Sequence, residues 1–419
     1  MGKSLKISAK LFRNKVSIPF FILKVLEVFL IFSLHIIISK SFNVESFGMF
    51  SYIFVLGSIL TTIVPLGFNT SIISLIGRYK NQNNIALLSG AIKSSILITC
   101  IVSLIISFLL FIFYNLYEIK MKFSLQIISL LIPALGINHI RKKISEAYHE
   151  YYKSITYDLL FFLSMILILF FIEISFKRFL LIYIIFYYFI TIISFSDLIK
   201  LHLINILRKK SKYILFKWIK YSFPMFISSF GQLLLTRIDI LVIGIFLGSI
   251  SVGYYSASVR MATLISFSLN VIYIINAPYI VKFFSKKDLS SLKNIIISGT
   301  LFSLLFAVPI FAILIIFDSM ILDIFGNSYS NYTKPLIILS FGQLVNSFFG
   351  MAATALLYTN KGSFYSIVLL FTVFISLIGN YLVVPNYGIN GAAYITAGCL
   401  IIGRIIQAFY FIYINFKKQ

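Results

Sequence analysis

Long apolar runs separated by short polar segments extend over almost the whole chain. A helix needs about 20 mostly apolar residues to cross a bilayer. Twelve stretches meet this requirement: 18–40, 46–69, 85–113, 123–140, 154–173, 179–199, 221–247, 253–281, 294–317, 334–358, 363–384 and 390–415. The segments between them are too short to form a soluble domain. The pattern therefore predicts an all-α integral membrane protein with twelve transmembrane helices.

The composition supports this prediction and excludes several classes of function. Hydrophobic residues make up 60% of the chain and charged residues 11%, whereas a soluble domain is about 25% charged. The net charge of +24 falls mostly between the apolar runs, so we expect no nucleic-acid partner. Cys100 and Cys399 lie inside apolar stretches and give neither a disulfide pattern nor metal-ligand spacing. Because the sequence also lacks a phosphate-binding loop, we expect no ATP hydrolysis, no catalytic residues, no metal and no cofactor.

The distribution of lysine and arginine predicts the orientation of the spans. With the N-terminus inside, the inner segments carry 25 of the 36 lysines and arginines, and the outer segments carry 6. Loops rich in lysine and arginine stay on the cytoplasmic side. We therefore predict that both termini are cytoplasmic. The many Ile, Phe, Lys and Asn residues suggest an AT-rich bacterial genome. We expect the protein to lie in the bacterial inner (cytoplasmic) membrane.

A repeat of 205 residues indicates that the chain contains two copies of one unit. The string SIPFFI at 17–22 matches SFPMFI at 222–227, and SFGMFS at 46–51 matches SVGYYS at 251–256 in the same register. Both copies start on the inner side, which makes the repeats parallel. We predict two six-helix lobes, 1–204 and 221–419, around a central cavity and joined by a cytoplasmic basic linker at 205–220.

Polar residues inside the spans are the candidates for function, because ionisable groups in hydrocarbon are costly and usually face a wet interior. In the seventh span, Ser229, Gln232, Thr236 and Asp239 follow each other at steps of three or four residues, so they would share one helix face. Basic residues outnumber acidic ones at depth. The candidates for binding substrate are Lys24, Lys93, Gln232, Arg237, Arg260, Asn270, Arg404 and Gln407, and those for ion coupling or a counter-ion are Glu27, His35 and Asp239.

Guanidinium and ammonium groups in a low-dielectric cavity attract anions, and phosphate in particular. The pattern therefore indicates a secondary transporter or flippase for an anionic substrate. The alternative for the lysines is that they extend toward the interface. For Arg237 the alternative is a structural bond to another helix, for which Glu27 is a candidate partner.

The chain also resembles a known family. The string DILVIGIFLGSISVGYYSASVRM (239–261) is similar to the seventh-to-eighth-span signature of bacterial polysaccharide (O-antigen type) flippases, within the multidrug/oligosaccharidyl-lipid/polysaccharide exporter superfamily. VESFGMFSY (44–52), FGQLVNSFFGMAATALLYTNKG (341–362) and VPNYGINGAAYITA (384–397) resemble other parts of it. The resemblance implies that lipid-linked oligosaccharide on undecaprenyl diphosphate moves to the outer leaflet by alternating access. Other polysaccharide assembly proteins would then be partners beside the bilayer. Proton or sodium coupling stays open.

Three other functions fit the sequence less well. A cation or drug antiporter on the same fold would need deep acids, and deep bases outnumber them here. A major-facilitator symporter normally has an acidic residue in the basic loop after its second span, and residues 67–80 contain none. A membrane glycan polymerase usually needs a large outer loop, whereas the longest outer loop here is 318–333.

The charge asymmetry predicts which loops a membrane-impermeant thiol reagent can reach. A cysteine introduced at Ser211 should stay unlabelled in sealed cells, and one introduced within 318–333 should be labelled, because only the second segment is extracytoplasmic. Labelling of the Ser211 variant from outside would reject the predicted topology.

Overall fold

The computed structural model describes residues 17–116, 120–207, 209–359 and 361–416. These residues form helices and connecting turns, with no strand among them. The helices are α1 (Ser17–Ser41), α2 (Val44–Ile63), α3 (Phe68–Asn81), α4 (Ile85–Leu116), α5 (Lys122–Ala147), α6 (Tyr151–Phe171), α7 (Phe176–Leu198), α8 (Ile204–Leu207), α9 (Leu215–Leu235), α10 (Ile238–Phe246), α11 (Ser249–Thr263), α12 (Phe267–Ser285), α13 (Leu289–Ile316), α14 (Asp318–Asp323), α15 (Thr333–Ala355) and α16 (Gly362–Phe416).

The helices account for all twelve predicted spans. Within the described residues, nine helices are long and apolar enough to cross a membrane, or eleven if α9–α10 and α11–α12 each form one bent span. Helix α16 contains 55 residues, more than twice the length of about 20 residues that a bilayer requires. Gly388 has a φ of 61° in the middle of α16, a conformation that glycine adopts without a steric penalty, and it divides α16 into the last two spans. The predicted all-α membrane fold is confirmed.

The chain divides into two compact units. One unit comprises Pro19–Leu233, and the other contains Leu234–Gln419. The division lies within α9, later than the linker predicted at 205–220. The reason is that the first half of α9 packs on the first unit. The Trp218 indole donates a hydrogen bond to the hydroxyl of Tyr79 at 2.8 Å, and the hydroxyls of Ser71 and Ser222 lie 2.5 Å apart.

Each unit has one central helix that contacts most of the others, α5 in the first unit and α15 in the second. In the first unit, α5 contacts α2, α3, α4, α6 and α7, and in the second unit α15 contacts α11, α12, α13 and α16. The predicted repeat is visible in the helix boundaries, since α2 and α11 start 205 positions apart, at Val44 and Ser249. Both helices are also followed by a break, after Ile63 and Thr263.

Two helix ends differ from the predicted spans in ways that matter for the site. Helix α5 continues to Ala147, beyond the predicted end of its span at residue 140. Arg141, which the sequence places in a cytoplasmic loop, is therefore a helical residue and only 1% exposed. Helix α9 ends at Leu235 and α10 begins at Ile238 with a bend of 53° between them. The polar residues of the seventh span therefore do not lie on one continuous helix face.

The linker before α9 lies tightly on α4, which makes Gly90 a sensitive position. A Cβ at residue 90 would overlap the carbonyl oxygen of Lys212, whose backbone N–H bonds the carbonyl of Ala86 at 3.0 Å. Gly90→Ala should lower the thermal stability of the purified protein, since overpacking costs about 1–3 kcal/mol. Gly77→Ala is the matched control: it is also helical, and nothing lies within 4 Å of the added Cβ. Equal melting temperatures for the two variants would contradict this packing.

Candidate functional site

A cluster of charged side chains lies inside the first unit, where α1, α5 and α6 meet. The Lys142 ammonium lies 3.1 Å from Glu27 Oε1 and also contacts the Asp158 carboxylate. Glu27 Oε2 in turn accepts from Lys24 at 2.6 Å. Glu27 and Asp158 are buried, with 6% and 7% exposure. A buried charge is tolerated when opposite charges and hydrogen bonds surround it, so these groups form one coupled ion-pair network.

A second set of polar groups holds this network in place. The Asn138 amide donates to Asp158 Oδ1 and to the Tyr187 hydroxyl, each at 3.0 Å. Arg141 Nε donates to Asn138 Oδ1 at 2.8 Å. The other guanidinium nitrogens of Arg141 donate to the carbonyls of Lys153 and Ser154 at the start of α6. Arg141 therefore ties α5 to α6 and orients the amide that contacts Asp158.

A cavity of about 200 Å³ opens beside the cluster. Its polar residues are Glu27, Ser58, Thr61, Asn138, His139, Lys142 and Asp158, and its aromatic residues are Phe50, Phe54, Phe161, Phe162, Tyr183 and Tyr187. A water molecule takes about 30 Å³ of liquid volume, whereas a drug-sized ligand occupies a pocket of about 300–1,000 Å³. The cavity therefore has room for a few waters or a small ion, and not for an oligosaccharide.

His35, a predicted coupling residue, lies in an apolar environment in α1. Its side chain is fully buried, and Nδ1 lies 2.7 Å from the carbonyl oxygen of Ile31. The rings of Phe47, Phe50 and Phe54 surround the imidazole at centroid distances of 5.0–6.3 Å. This environment is typical of a packed core histidine, and the coupling role of His35 stays a prediction.

The second unit holds a buried arginine among neutral partners. Arg404, in α16, is 8% exposed. Its Nε donates to Asn346 Oδ1 at 2.9 Å, and one terminal nitrogen lies 3.3 Å from both the Tyr365 hydroxyl and Gln407 Oε1. In the part of the chain that the structure describes, no ion pair includes Arg404. Arg404 and Gln407, both predicted binding residues, are thus in contact, and the hydrogen bonds that Arg404 donates to neutral groups orient its positive charge.

Asp239, near the start of α10, is 1% exposed and is held by hydrogen-bond donors. Its Oδ1 accepts from the backbone N–H of Ile240 at 2.8 Å. Its Oδ2 accepts from the Tyr255 hydroxyl at 2.6 Å and from Thr396 at 3.1 Å. Asp239 therefore links α10 to α11 and α16. Arg237, directly before α10, is half-buried at the bend between α9 and α10.

The remaining predicted residues lie on α4, α9, α11 and α12. Arg260 is half-buried in the last turn of α11, and its carbonyl accepts from Thr263 at 2.8 Å. Asn270 is exposed on α12, and Lys93 is half-buried on α4. Gln232 is half-buried on α9. Among the described residues, no three or more His, Cys, Asp or Glu side chains lie together in a group that could hold a metal ion.

Comparison with known proteins relates this architecture to membrane transporters. The family model described as "Polysaccharide biosynthesis protein" matches residues 20–284. The chain belongs to the polysaccharide biosynthesis protein family. This membership covers the first unit, with its charged cluster, and the first three helices of the second unit, which confirms the resemblance seen in the sequence.

A curated relative and two solved structures extend the comparison. A protein of Haloferax volcanii named "Probable low-salt glycan biosynthesis flippase Agl15" is 26% identical over 207 residues, which is 48% of this chain and 43% of that protein. An inward-facing multidrug resistance MATE family transporter of the MOP superfamily has a TM-score of 0.77 at 13% identity, covering 93% of this chain and 94% of that one. The lipid II flippase MurJ has a TM-score of 0.70 at 17% identity, covering 94% and 87%. These structures share the fold of this family member.

Sequence reasoning missed most of the first-unit cluster in this family member. The predicted spans place Arg141 and Lys142 in a segment between spans and Asp158 inside a span, and none of the three is among the predicted site residues. One signal could have found them: Arg141 and Lys142 lie three and four residues after Asn138, which puts each of them on the same side of a helix as Asn138. Glu27 was predicted from the sequence, and in the structure it pairs with both Lys24 and Lys142.

The hydrogen bonds of Asp239 predict that replacing Tyr255 lowers the stability of the protein much more than replacing the adjacent Tyr254. Tyr255→Phe removes a donor to a buried carboxylate, which should lower the free energy of unfolding by about 1.5–3 kcal/mol. Tyr254→Phe is the control, because the Tyr254 ring stacks on Tyr332 at 4.0 Å and this contact is kept. Thermal unfolding in detergent micelles measures both. If Tyr255→Phe is as stable as the control, the carboxylate does not depend on this bond.

Proposed function

We propose that this protein is a flippase that moves glycan units linked to undecaprenyl diphosphate from the inner to the outer leaflet of the bacterial inner membrane. The resulting surface polysaccharide would be of the O-antigen or lipopolysaccharide type. Three observations support this function: the polysaccharide biosynthesis family match, the flippase name of the Haloferax volcanii relative and a fold shared with MOP-superfamily transporters. Other polysaccharide assembly proteins would supply the glycan and use it after export.

The environment of Arg404 carries the proposal that the substrate is anionic. A buried guanidinium is costly unless a partner compensates its charge. Neutral groups from Asn346, Tyr365 and Gln407 orient Arg404 without neutralising it. A diphosphate would supply the missing negative charge, and the planar guanidinium matches pairs of phosphate oxygens. Lys142 differs in this respect, because two carboxylates already neutralise it.

The predicted binding residues keep their proposed roles within this scheme. Arg237, Arg260 and Arg404 would hold the diphosphate during transport, with Lys24 and Lys93 nearer the entry side. The amides of Gln232, Asn270 and Gln407 would bind sugar hydroxyls. The lobes would alternate access to a cationic cavity, as the resemblance to exporters implies.

Ion coupling belongs to the same proposal, because the sequence has no ATPase motif to drive transport. A proton or sodium gradient is the candidate source of energy. Glu27 and Asp239 are the buried carboxylates that would take part in coupling, by exchanging a proton or by acting as counter-ions. The Asp239 carboxylate is bound by three donors, so a counter-ion role suits it as well as a coupling role.

A cation or drug antiporter is the second candidate. The match to the MATE transporter and the two buried carboxylates at the first-unit cavity favour it. A deletion strain separates the two functions. Loss of surface polysaccharide with lipid-linked units retained inside supports the flippase, whereas unchanged polysaccharide with greater sensitivity to cationic drugs supports the antiporter.

Arg404 provides the most direct mutational test of the flippase. Arg404→Ala should lower export of surface polysaccharide about ten- to hundredfold, since it removes a charged hydrogen bond worth about 1.5–3 kcal/mol. Arg404→Lys should keep partial activity, because it retains the charge without the fork. Export per molecule of inserted protein is the measurement. Arg178→Ala, at an exposed position at the start of α7, makes the same change in net charge as a control.

A purely structural role for Arg404 predicts a different result. Arg404→Ala would then reduce the amount of protein in the membrane while each remaining molecule exports at the normal rate. Alanine at Arg237, Arg260 and Arg404 together tests the wider mechanism, and export at the wild-type rate in that variant would disprove the cationic cavity.

A further inference from the structure

In the charged cluster of the first unit, the Lys142 ammonium lies between the carboxylates of Glu27 and Asp158. We infer that the Lys142 ammonium takes the place of a free metal cation between Glu27 and Asp158, so that this cavity neither binds nor requires sodium. This inference deepens the proposed function, because it concerns which ion the flippase uses. It rests on the ion-pair geometry, the surrounding charges and the cavity.

The geometry is that of a cation bridging two carboxylates. Glu27 comes from α1, Asp158 from α6 and Lys142 from α5 between them. The ammonium contacts one oxygen of each carboxylate. Small hard cations bind carboxylate oxygens of this kind, so a free cation and the ammonium would compete for the same position. The ammonium is tethered to α5, which gives it a large advantage in effective concentration.

The remaining oxygens of the two carboxylates also have partners. Glu27 Oε2 accepts from Lys24, and Asp158 Oδ1 accepts from the Asn138 amide. A free cation could therefore bind only where Lys142 now lies. The carboxylates would otherwise need new partners inside a partly enclosed cavity, where an unpaired charge is costly.

The charges around the cluster also oppose a further cation. Two carboxylates face Lys24 on α1 and Arg141 and Lys142 on α5, so the ionised groups already carry one excess positive charge. The other titratable groups around the site are His139, Lys143 and Glu146 on α5, Tyr157 on α6, and Tyr183 and Tyr187 on α7. Lys143 and Glu146 pair with each other at 2.8 Å and together add no net charge. Removing the Lys142 charge would leave the cluster neutral, with two carboxylates open to a small cation.

Replacing Lys142 should therefore create a sodium site. Lys142→Met keeps an unbranched apolar stem and leaves space for a cation and water in the cavity of about 200 Å³. Lys143→Met is the matched control, because Lys143 is the next residue of α5 and pairs with Glu146 at 2.8 Å. The double variant Lys142→Met/Asp158→Asn removes the ammonium together with one of the two carboxylates.

The experiment follows thermal unfolding of the full-length purified variants in detergent micelles. Sodium or lithium chloride replaces choline chloride at constant ionic strength. We expect the melting temperature of Lys142→Met to rise with sodium and to saturate, because a ligand that binds only the folded state stabilises it. The wild type and Lys143→Met should show no specific rise. The double variant should need at least about tenfold more sodium for the same rise in melting temperature, since it lacks one charged ligand.

A saturable sodium effect on the wild type would overturn the inference, because it would show a free cation site with the lysine in place. Identical salt responses of Lys142→Met and Lys143→Met would overturn it as well. If Lys142→Met does not fold, the same sodium titration is carried out on Lys142→Gln. The uncharged glutamine amide can still donate a hydrogen bond to a carboxylate. This readout is independent of export, so failure of the flippase proposal leaves the binding result interpretable.

Discussion

The cost of a charge in hydrocarbon is the constraint on which the polar part of this structure depends. An ionisable group at the centre of a membrane span costs about 2.5–3.5 kcal/mol on insertion scales, and several such groups lie inside these helices. Each unit meets the cost in a different way. In the first unit, Glu27, Lys142 and Asp158 neutralise one another. In the second unit, neutral donors and acceptors hold Asp239 and Arg404.

This difference in charge compensation suits the two units to different ligands. The cavity beside the neutralised cluster is too small for a glycan, and its buried charges suit a role in ion coupling. A buried arginine without a carboxylate partner suits an anionic ligand. Both sites are anchored on the central helix of their unit, through Asn138 and Lys142 on α5 and through Asn346 on α15. The repeat therefore gives both units the same framework, while the residues on that framework give them different chemistry.

The membrane environment also constrains the helix break before α10. Backbone groups inside a bilayer must be paired internally, so a break is tolerated only where other groups satisfy the freed donors and acceptors. At the start of α10 the Asp239 carboxylate accepts from the backbone N–H of Ile240. The buried carboxylate of Asp239 thus satisfies a backbone donor next to the bend that precedes α10.

The sequence alone determined the helical class, the positions of the twelve spans and the family resemblance, because apolar length and small-residue motifs are local properties. It also identified Glu27, Asp239 and Arg404 as deep charges. Only the tertiary structure decided which side chains meet. Lys142 pairs with Glu27 across 115 residues of chain, and Thr396 bonds Asp239 across 157. Such pairs depend on helix packing and on where each helix ends, and neither is set by periodicity within a single span.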